Sequence, residues 1–289
     1  MSKNYDLLIL GYDYLVEDHT LLMEAAERVG LLCEVVNPDR LSLEVKSGSV
    51  VALLDGYPVS TKSVIPRGVN KVYPFLRTWL ESVEHTGVRV FNSTKSTELC
   101  LDKLRTAVAL SLFDTPMLPT FGTLRPRLLP GYDLFVIKPA FGSGGRGVEV
   151  YDPTRVCEYK VDSDFVNHDL IGHFVSQPLA EQAGLDYRVF VINGQAVACT
   201  QRKAPIGEFV TNGKLSDVSI SDDIDIIKLG IKATNNLGLS YAGVDIIVDH
   251  GQPVVLEVNC WPGIGFTSKV TGVDIAGLLS KYIADEIYK

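Results

Sequence analysis

The stretch that most constrains this chain is GVDIIVDHGQPVVLEVNCWPG, Gly243 to Gly263. Two β-branched runs flank a turn at His250 and Gly251, which predicts a hairpin. Asp245 falls on its first strand, Glu257 and Asn259 on its second. Side chains two apart share a face of a strand, so Glu257 and Asn259 point one way and Val258 the other. Pairing of the strands brings the three oxygen-bearing side chains together. Two carboxylates and an amide oxygen make an oxygen-only site, which suits magnesium bound with substrate phosphates. The competing reading is a sheet end whose polar residues merely face water. Asp245 and Glu257 sit inside otherwise apolar runs, where an unpaired charge is costly, and this favours the metal reading.

A chain of 289 residues accommodates two or three modest domains. Its 46% hydrophobic and 21% charged residues exclude disordered, collagen-like and coiled-coil classes. The longest apolar runs, such as Val189 to Ile192, are strand-length, and the start MSKNYD has no signal-peptide pattern, so a cytoplasmic protein without a membrane span is expected. Cys33, Cys100, Cys157, Cys199 and Cys260 lack CxxC spacing and suggest neither a zinc site nor a disulfide framework. The net charge of −8 argues against non-specific nucleic-acid binding and is neutral about small anionic ligands.

Along the chain, YDLLILG reads as a strand, His19 to Gly30 as a helix closed by glycine, and CEVVNPD as a strand. This β–α–β start opens an α/β sheet. SVIPRG adds a strand and turn, VYPFLRTWLESVEHTG a helix and VRVFN a short strand, completing a first domain near Asn92. A helix is expected from Ser96, a plausible cap, to Leu112, with Asp102-Lys103 inside it. After a proline-punctuated connector, Asp114 to Gly122, the strand LFVIKPA delivers Lys138 out of an apolar run.

FGSGGRGV, Phe141 to Val148, follows at once. Its glycines and serine leave backbone N–H groups free to surround phosphate oxygens, with Lys138 as an added point charge. It is neither a P-loop nor a dinucleotide fingerprint, and a flexible hairpin between two strands is the competing reading. His173 to Pro205 contains three strands with a hairpin at Asn193-Gly194. Asp186, Arg188 and Phe190 share one face there, which leaves open a weak surface pair between Asp186 and Arg188. Arg202, Lys203, Asn212 and Lys214 form a second cluster of donors, and a helix from Asp222 to Leu237 leads into the hairpin at Gly243.

Taken in order, Asp102-Lys103, KPAFGSGGRGV, QPLAEQAGLDYRVFV, QRKAPIGEFVTNGK, GVDIIV, VVLEVNCWPG and TGVDIAGLL resemble the RimK-like branch of the ATP-grasp ligases. The resemblance runs from about Ile65 to Tyr282, and its specificity lies in the ordered set rather than in any one motif. It implies an ATP-grasp fold, α/β and α+β, behind an N-terminal open α/β domain. The expected divisions are an N-terminal domain over 1–94, a central subdomain with the glycine loop over 95–178, and a C-terminal subdomain with the metal and catalytic site over 179–289. The activity implied is ligation of a carboxylate to an amine through an acyl-phosphate, with ADP and phosphate released.

Carried over position by position, the resemblance implies that Lys103 and Lys138 bind ATP, and that Gly142, Ser143, Gly144, Gly145 and Gly147 belong to the lid over its phosphates. Gln177, Pro178, Leu179 and Ala180 match the segment whose backbone reads adenine, and Asp186 matches the residue near the ribose. Asp245, Glu257 and Asn259 match the ligands of magnesium, for which manganese is an alternative. Arg188, Arg202 and Asn212 match groups near the transferred phosphoryl. Two departures stand out: Val210 occupies a position where RimK carries arginine, a charge that Arg202 or Lys214 could replace, and Pro178 replaces a common glutamate. The substrates implied are a small acid and amine or a peptide or protein acceptor, glutamate being frequent in the family. Dimers and tetramers are common in it. A nucleotide-binding regulatory protein without chemistry and a small-molecule kinase share the ATP features and stay open as alternatives.

Overall fold

The computed structural model describes residues 4–12, 16–69, 72–124, 131–142, 147–151, 173–206, 208 and 215–289. Two compact units emerge, one of residues 1–97, 239–241 and 261–289, the other of residues 98–238 and 242–260.

In the first unit β1 (Tyr5–Leu10), α1 (Val16–Arg28) and β2 (Cys33–Val36) form the expected β–α–β start. The strands β3 (Leu41–Lys46), β4 (Ser49–Leu54) and β5 (Tyr57–Pro58) follow, then β6 (Thr61–Pro66), α2 (Tyr73–His85) and β7 (Arg89–Val90). A parallel sheet of order β2-β1-β6-β7 carries Leu7 to Leu10 fully buried at its centre, as a sheet strand between helices should. Helix α2 buries Leu76, Trp79, Leu80 and Val83 on one face at helical spacing. The antiparallel meander β3-β4-β5 was not expected from the sequence. Asp55-Gly56, with φ of 52° and 79°, is the left-handed turn pair that joins its last two strands, and that dipeptide was its readable signal.

Arg67, 1% exposed, donates through Nη2 to Asp18 Oδ2 at 2.8 Å and to Pro262 O at 2.6 Å. The Asp18 carboxylate in turn accepts from Ile264 N and Gly265 N. Arg67 therefore fastens buried loops of this unit. Asn92, fully buried, accepts from Ser240 N and Tyr241 N and donates to Tyr241 O, so it holds residues 240–241 as a third partner strand would.

The single helix expected over 96–112 is two helices, α3 (Thr94–Leu101) and α4 (Lys103–Ser111). Asp102 between them is extended, φ −111° and ψ 112°, and its carboxylate accepts from Leu104 N and Arg105 N. An aspartate that caps a new helix cannot continue an old one, and this is why the periodic run breaks. In the second unit come β8 (Phe121–Thr123), β9 (Phe135–Pro139), β10 (Glu149–Tyr151) and β11 (Phe174–Pro178), an antiparallel sheet of order β10-β9-β11-β8. The next strands are β12 (Leu185–Ile192), β13 (Gln195–Lys203) and β14 (Asp217–Ile220), with the β12–β13 hairpin turning at Asn193 and Gly194, φ 49° and 70°. Helix α5 (Ile224–Asn236) starts on the Asp223 cap and runs to the Gly238 turn. Its Gly230 lies so close to Val189 that a Cβ would come within 2.7 Å, so this helix packs directly on β12.

The hairpin β15 (Tyr241–Asp249) and β16 (Gln252–Asn259) completes a five-stranded sheet of order β14-β13-β12-β15-β16. Its turn residues His250 and Gly251 have φ of 47° and 72°, as the sequence led one to expect. Helices α6 (Gly265–Thr271) and α7 (Ile275–Ile287) belong to the first unit, where Arg28 reaches Asp274 and Arg89 reaches Glu286. Among the described residues no helix is long and apolar enough to cross a membrane.

Candidate active site

Every described site residue proposed from the sequence lies in the second unit. On the β15–β16 hairpin Asp245 stands directly opposite Glu257, and Gly243 opposite Asn259. Partners across a ladder share a sheet face, so Asp245, Glu257 and Asn259 project to the same side. Asn259 Nδ2 lies 3.4 Å from Asp245 Oδ2, which leaves the amide carbonyl as a ligand atom. The register shift just after Asp245 re-aims the strand at this point.

The neighbouring strands bring two guanidinium groups onto the same carboxylate. Arg188 on β12 binds Asp245 in a fork, Nε to Oδ1 at 2.7 Å and Nη2 to Oδ2 at 2.6 Å. Arg202 on β13 places Nη2 3.0 Å from Asp245 Oδ1 and donates Nε to Asp186 Oδ1 at 2.6 Å. Asp186 and Arg202 are cross-strand partners. Arg188 and Asp186, two apart on one strand, each find a partner on an adjacent strand, because a flat ladder presents opposite residues closer than those two apart. Burial alone would raise the Asp245 carboxyl, but Arg188 and Arg202 outweigh it and hold the group below its usual range. The same acids keep Arg202 charged against the opposing pull of its own burial.

Two lysines approach from the other sheet and helix. Lys103 is the first residue of α4, and its Nζ donates to Gly142 O at 2.8 Å and lies 3.8 Å from Glu257 Oε1. Asp102, which caps that helix, also lies 3.2 Å from His173 Nε2, so the loop ends at Gly142 and His173 are tied to the helix start. Lys138 on β9 is 6% exposed, and burial pushes its ammonium down to about 8, with Lys103 acting in the same sense and Glu257 and Asp245 opposing. Four cations, Lys103, Lys138, Arg188 and Arg202, thus gather with three carboxylates, Asp186, Asp245 and Glu257. That excess of one positive charge favours an anionic ligand.

A cleft with about 370 Å3 of empty space, its mouth included, lies beside Lys103, Lys138 and Glu257 and extends to Met117, Thr120 and Gln177. Gln177 is 6% exposed and donates Nε2 to Thr120 Oγ1 at 2.9 Å. Next to it Pro178 has no N–H, Leu179 N donates to Leu134 O at 3.0 Å, and Ala180 is buried against Leu118 and Ile247. Met117 and Thr120, in the connector, were not singled out from the sequence; the proline pattern marked the loop but not its contact with the cleft.

Gly142 and Gly147, with φ of 134° and 71°, adopt backbone that other residues rarely take. Ser143, Gly144, Gly145, Asn212 and Lys214, along with Val210, lie outside the described residues. Asp245, Glu257 and Asn259 fit a magnesium ion. All three offer oxygen, and two carboxylates with one amide leave coordination positions for phosphate oxygens rather than building an all-protein cage. Among the described residues no cluster of three or more His, Cys, Asp or Glu offers a competing site.

A model of the RimK-like ATP-grasp domain matches residues 133–283. The chain is 30% identical over 279 residues to a probable alpha-L-glutamate ligase of Methanococcoides burtonii, covering 91% of this chain and 89% of that protein. Among solved structures it is similar to the ATP-grasp ligase PsnB complexed with a phosphomimetic variant of its minimal precursor, Mg and ADP. That likeness has a TM-score of 0.73 at 18% identity and covers 98% of this chain and 100% of the other. The D-cycloserine synthetase DcsG gives a TM-score of 0.70 at 19% identity, covering 97% of this chain and 99% of the other. These two likenesses establish the ATP-grasp fold.

Proposed function

This chain belongs to the RimK-like ATP-grasp family and is an ATP-grasp ligase, and we propose that it joins a carboxylate to an amine through an acyl-phosphate, with glutamate as one of its two substrates. One observation carries the reading: within a single unit, Arg188 and Arg202 meet at Asp245, across the ladder from Glu257, and Glu257 lines a cleft together with Lys103 and Lys138. The name borne by relatives such as that of Methanococcoides burtonii supports glutamate. A further structure of PsnB is complexed with the precursor peptide PsnA2 and AMPPNP, at a TM-score of 0.70 and 17% identity, which supports a peptide or protein terminus beside a small molecule as the second substrate.

In this mechanism Lys103 and Lys138 bind phosphate oxygens of ATP. Asp245, Glu257 and Asn259 would hold magnesium, which would supply charge neutralisation to the phosphates. Arg188 and Arg202 stabilise the charge that grows as the γ-phosphoryl group passes to the substrate carboxylate and ADP departs. Asp186 keeps Arg202 oriented for this through its 2.6 Å contact. The amine nitrogen then forms its bond to the acyl carbon, phosphate leaves with the bonding electrons, and the nitrogen releases a proton. Such chemistry rests on positioning and electrostatics more than on a protein base. The site residues, the two substrates, magnesium and a cytoplasmic location are all parts of this proposal.

Hydroxylamine tests the activated acid. With ATP, magnesium and glutamate or a pooled set of acids, trapping of a hydroxamate together with ADP is expected. Formation of ADP with a stable phosphorylated product and no hydroxamate would instead make the protein a kinase.

A further inference from the structure

We infer that His173 is a positioning residue for nucleotide binding: from just before β11 it holds the Asp102 carboxylate, and through the helix start that Asp102 caps it keeps Lys103 aimed at the phosphates. Resting on the proposed use of ATP, this adds a residue that reaches the nucleotide only through others.

Asp102, 4% exposed, is engaged at both of its oxygens. Oδ1 accepts from Leu104 N at 2.9 Å and from Arg105 N at 3.2 Å, which is the cap of α4. His173 Nε2 lies 3.2 Å from Oδ1 and 3.2 Å from Oδ2. A carboxylate that takes two backbone N–H groups is an acceptor, so the network assigns a proton to Nε2, which donates it. The two backbone donors alone serve the cap; the imidazole does something further, because it comes from another element. His173 O accepts from Ala140 N at 3.2 Å, and the His173 and Phe141 rings meet in a T at 5.7 Å and 80°. His173 thus joins the beginning of β11, the segment 140–142 that leaves β9 and the start of α4 at one point.

Lys103 depends on that point through both its main chain and its side chain. Its N–H donates to Ala140 O at 3.0 Å and its Nζ to Gly142 O at 2.8 Å. Between these two bonds Asp102 and Phe141 form an antiparallel bridge. With the imidazole removed, Leu104 N and Arg105 N still find Oδ1, so α4 keeps its cap. What goes is the link that fixes the helix start against the sheet. A lysine has a flexible stem and no fork to preset its direction, so the placement of its backbone governs where the ammonium ends. Lys103 lines the cleft, with Nζ 3.8 Å from Glu257 Oε1. Loosening its backbone therefore costs ATP affinity more than it costs stability.

The test is calorimetric binding of ATP, with magnesium and without any acid or amine. His173→Phe keeps an aromatic ring against Phe141 and removes the donor; affinity should fall about tenfold, the order expected when a partner that orients a ligand-binding group is lost. His173→Gln restores a side-chain N–H and should bring affinity back to within about threefold of wild type. In a Lys103→Met background His173→Phe should cause no further loss, because residues that act through one another are not additive, whereas a merely structural role would cost the same in both backgrounds. Unchanged affinity in His173→Phe, no recovery in His173→Gln, or an equal further loss in the Lys103→Met background overturns the inference while leaving the ligase reading intact. Absence of ATP binding by the wild-type protein overturns both. Should His173→Phe not fold, His173→Met takes its place, and should Lys103→Met bind too weakly to titrate, the recovery in His173→Gln decides.

Discussion

Arg188 closes on Asp245 through two parallel hydrogen bonds of 2.7 and 2.6 Å, so the carboxylate proposed for magnesium is charge-compensated by the guanidinium proposed for phosphate. Arg202 adds a third contact at 3.0 Å. Asp245 offers about four lone-pair positions, and Arg188, Arg202 and Asn259 engage all of them. Arg202 is pinned by Asp186, whereas among the described residues Arg188 has its ion pair with Asp245 and is the more exposed of the two, 23% against 10% for the side chain. Arg188 is thus the arginine that phosphate can draw away.

A divalent ion offered without nucleotide should therefore bind weakly, and Arg188→Gln should strengthen that binding. Manganese titration followed by electron paramagnetic resonance measures this directly. A gain of about tenfold is expected, equivalent to ~1.4 kcal/mol. Unchanged or weaker manganese binding in the variant would show that Arg188 does not compete for Asp245.

Replacement of Arg202 by glutamine separates chemistry from binding. Turnover should fall by about a hundredfold or more, the usual consequence of removing one donor from developing charge, while ATP affinity changes little. The same substitution takes away the buried partner of Asp186 and Asp245 and should cost on the order of 3 kcal/mol of stability. Parallel kinetics and calorimetric binding, made well below the unfolding temperature, check both halves. Full activity would remove Arg202 from the mechanism.

Nucleotide binding is expected to depend on pH through Lys138. Its folded value of about 8 lies below the ordinary 10.5, so between those values the unfolded chain holds the proton and the folded one does not. Stability supplied by this group therefore rises with pH across that window, and the penalty of burying the charge is felt below it. Nucleotide affinity runs the other way: it should weaken as pH rises through about 8, and binding at pH 8.5 should take up a proton. Calorimetry in buffers of different ionisation enthalpy measures the uptake, and Lys138→Met should abolish it.

Asp102→Ala removes the cap of α4 and should destabilise the protein by about 1–2 kcal/mol. For the unit that holds it, this corresponds to a fall in Tm of roughly 2–8 °C. Since Lys103 follows the cap directly, ATP affinity should drop as well. A thermal shift without any change in affinity would mean that the cap does not position Lys103.

The hairpins and the shared face of Asp245, Glu257 and Asn259 were legible in the sequence because both depend on local rules. Asn193-Gly194 and His250-Gly251 fix their turns, and strand alternation alone puts Glu257 and Asn259 on one face. The break at Asp102 was not read, although Asp102 followed by Lys103-Leu104-Arg105 is a cap pattern; it was hidden inside a run whose apolar spacing suits one long helix. The meander over 41–58 was missed in spite of its Asp55-Gly56 turn. Arg188 on Asp245 and Arg202 on Asp186 could not be read at all, because they depend on the order of strands β13-β12-β15, which no spacing within one strand encodes. The Gln177–Thr120 contact is of the same kind, joining a strand to a loop 57 residues away.

The central claim is ATP-driven amide formation, and the most direct measurement is product mass. Protein, ATP and magnesium are incubated with pooled acids and amines, each pool with and without glutamate, and then with a cell extract as acceptor. ADP release coupled to a new species equal in mass to two substrates minus one water is the expected result. Tight ATP binding with no ADP release from any pool or from the extract would contradict it, and would leave a nucleotide-binding protein without ligase chemistry.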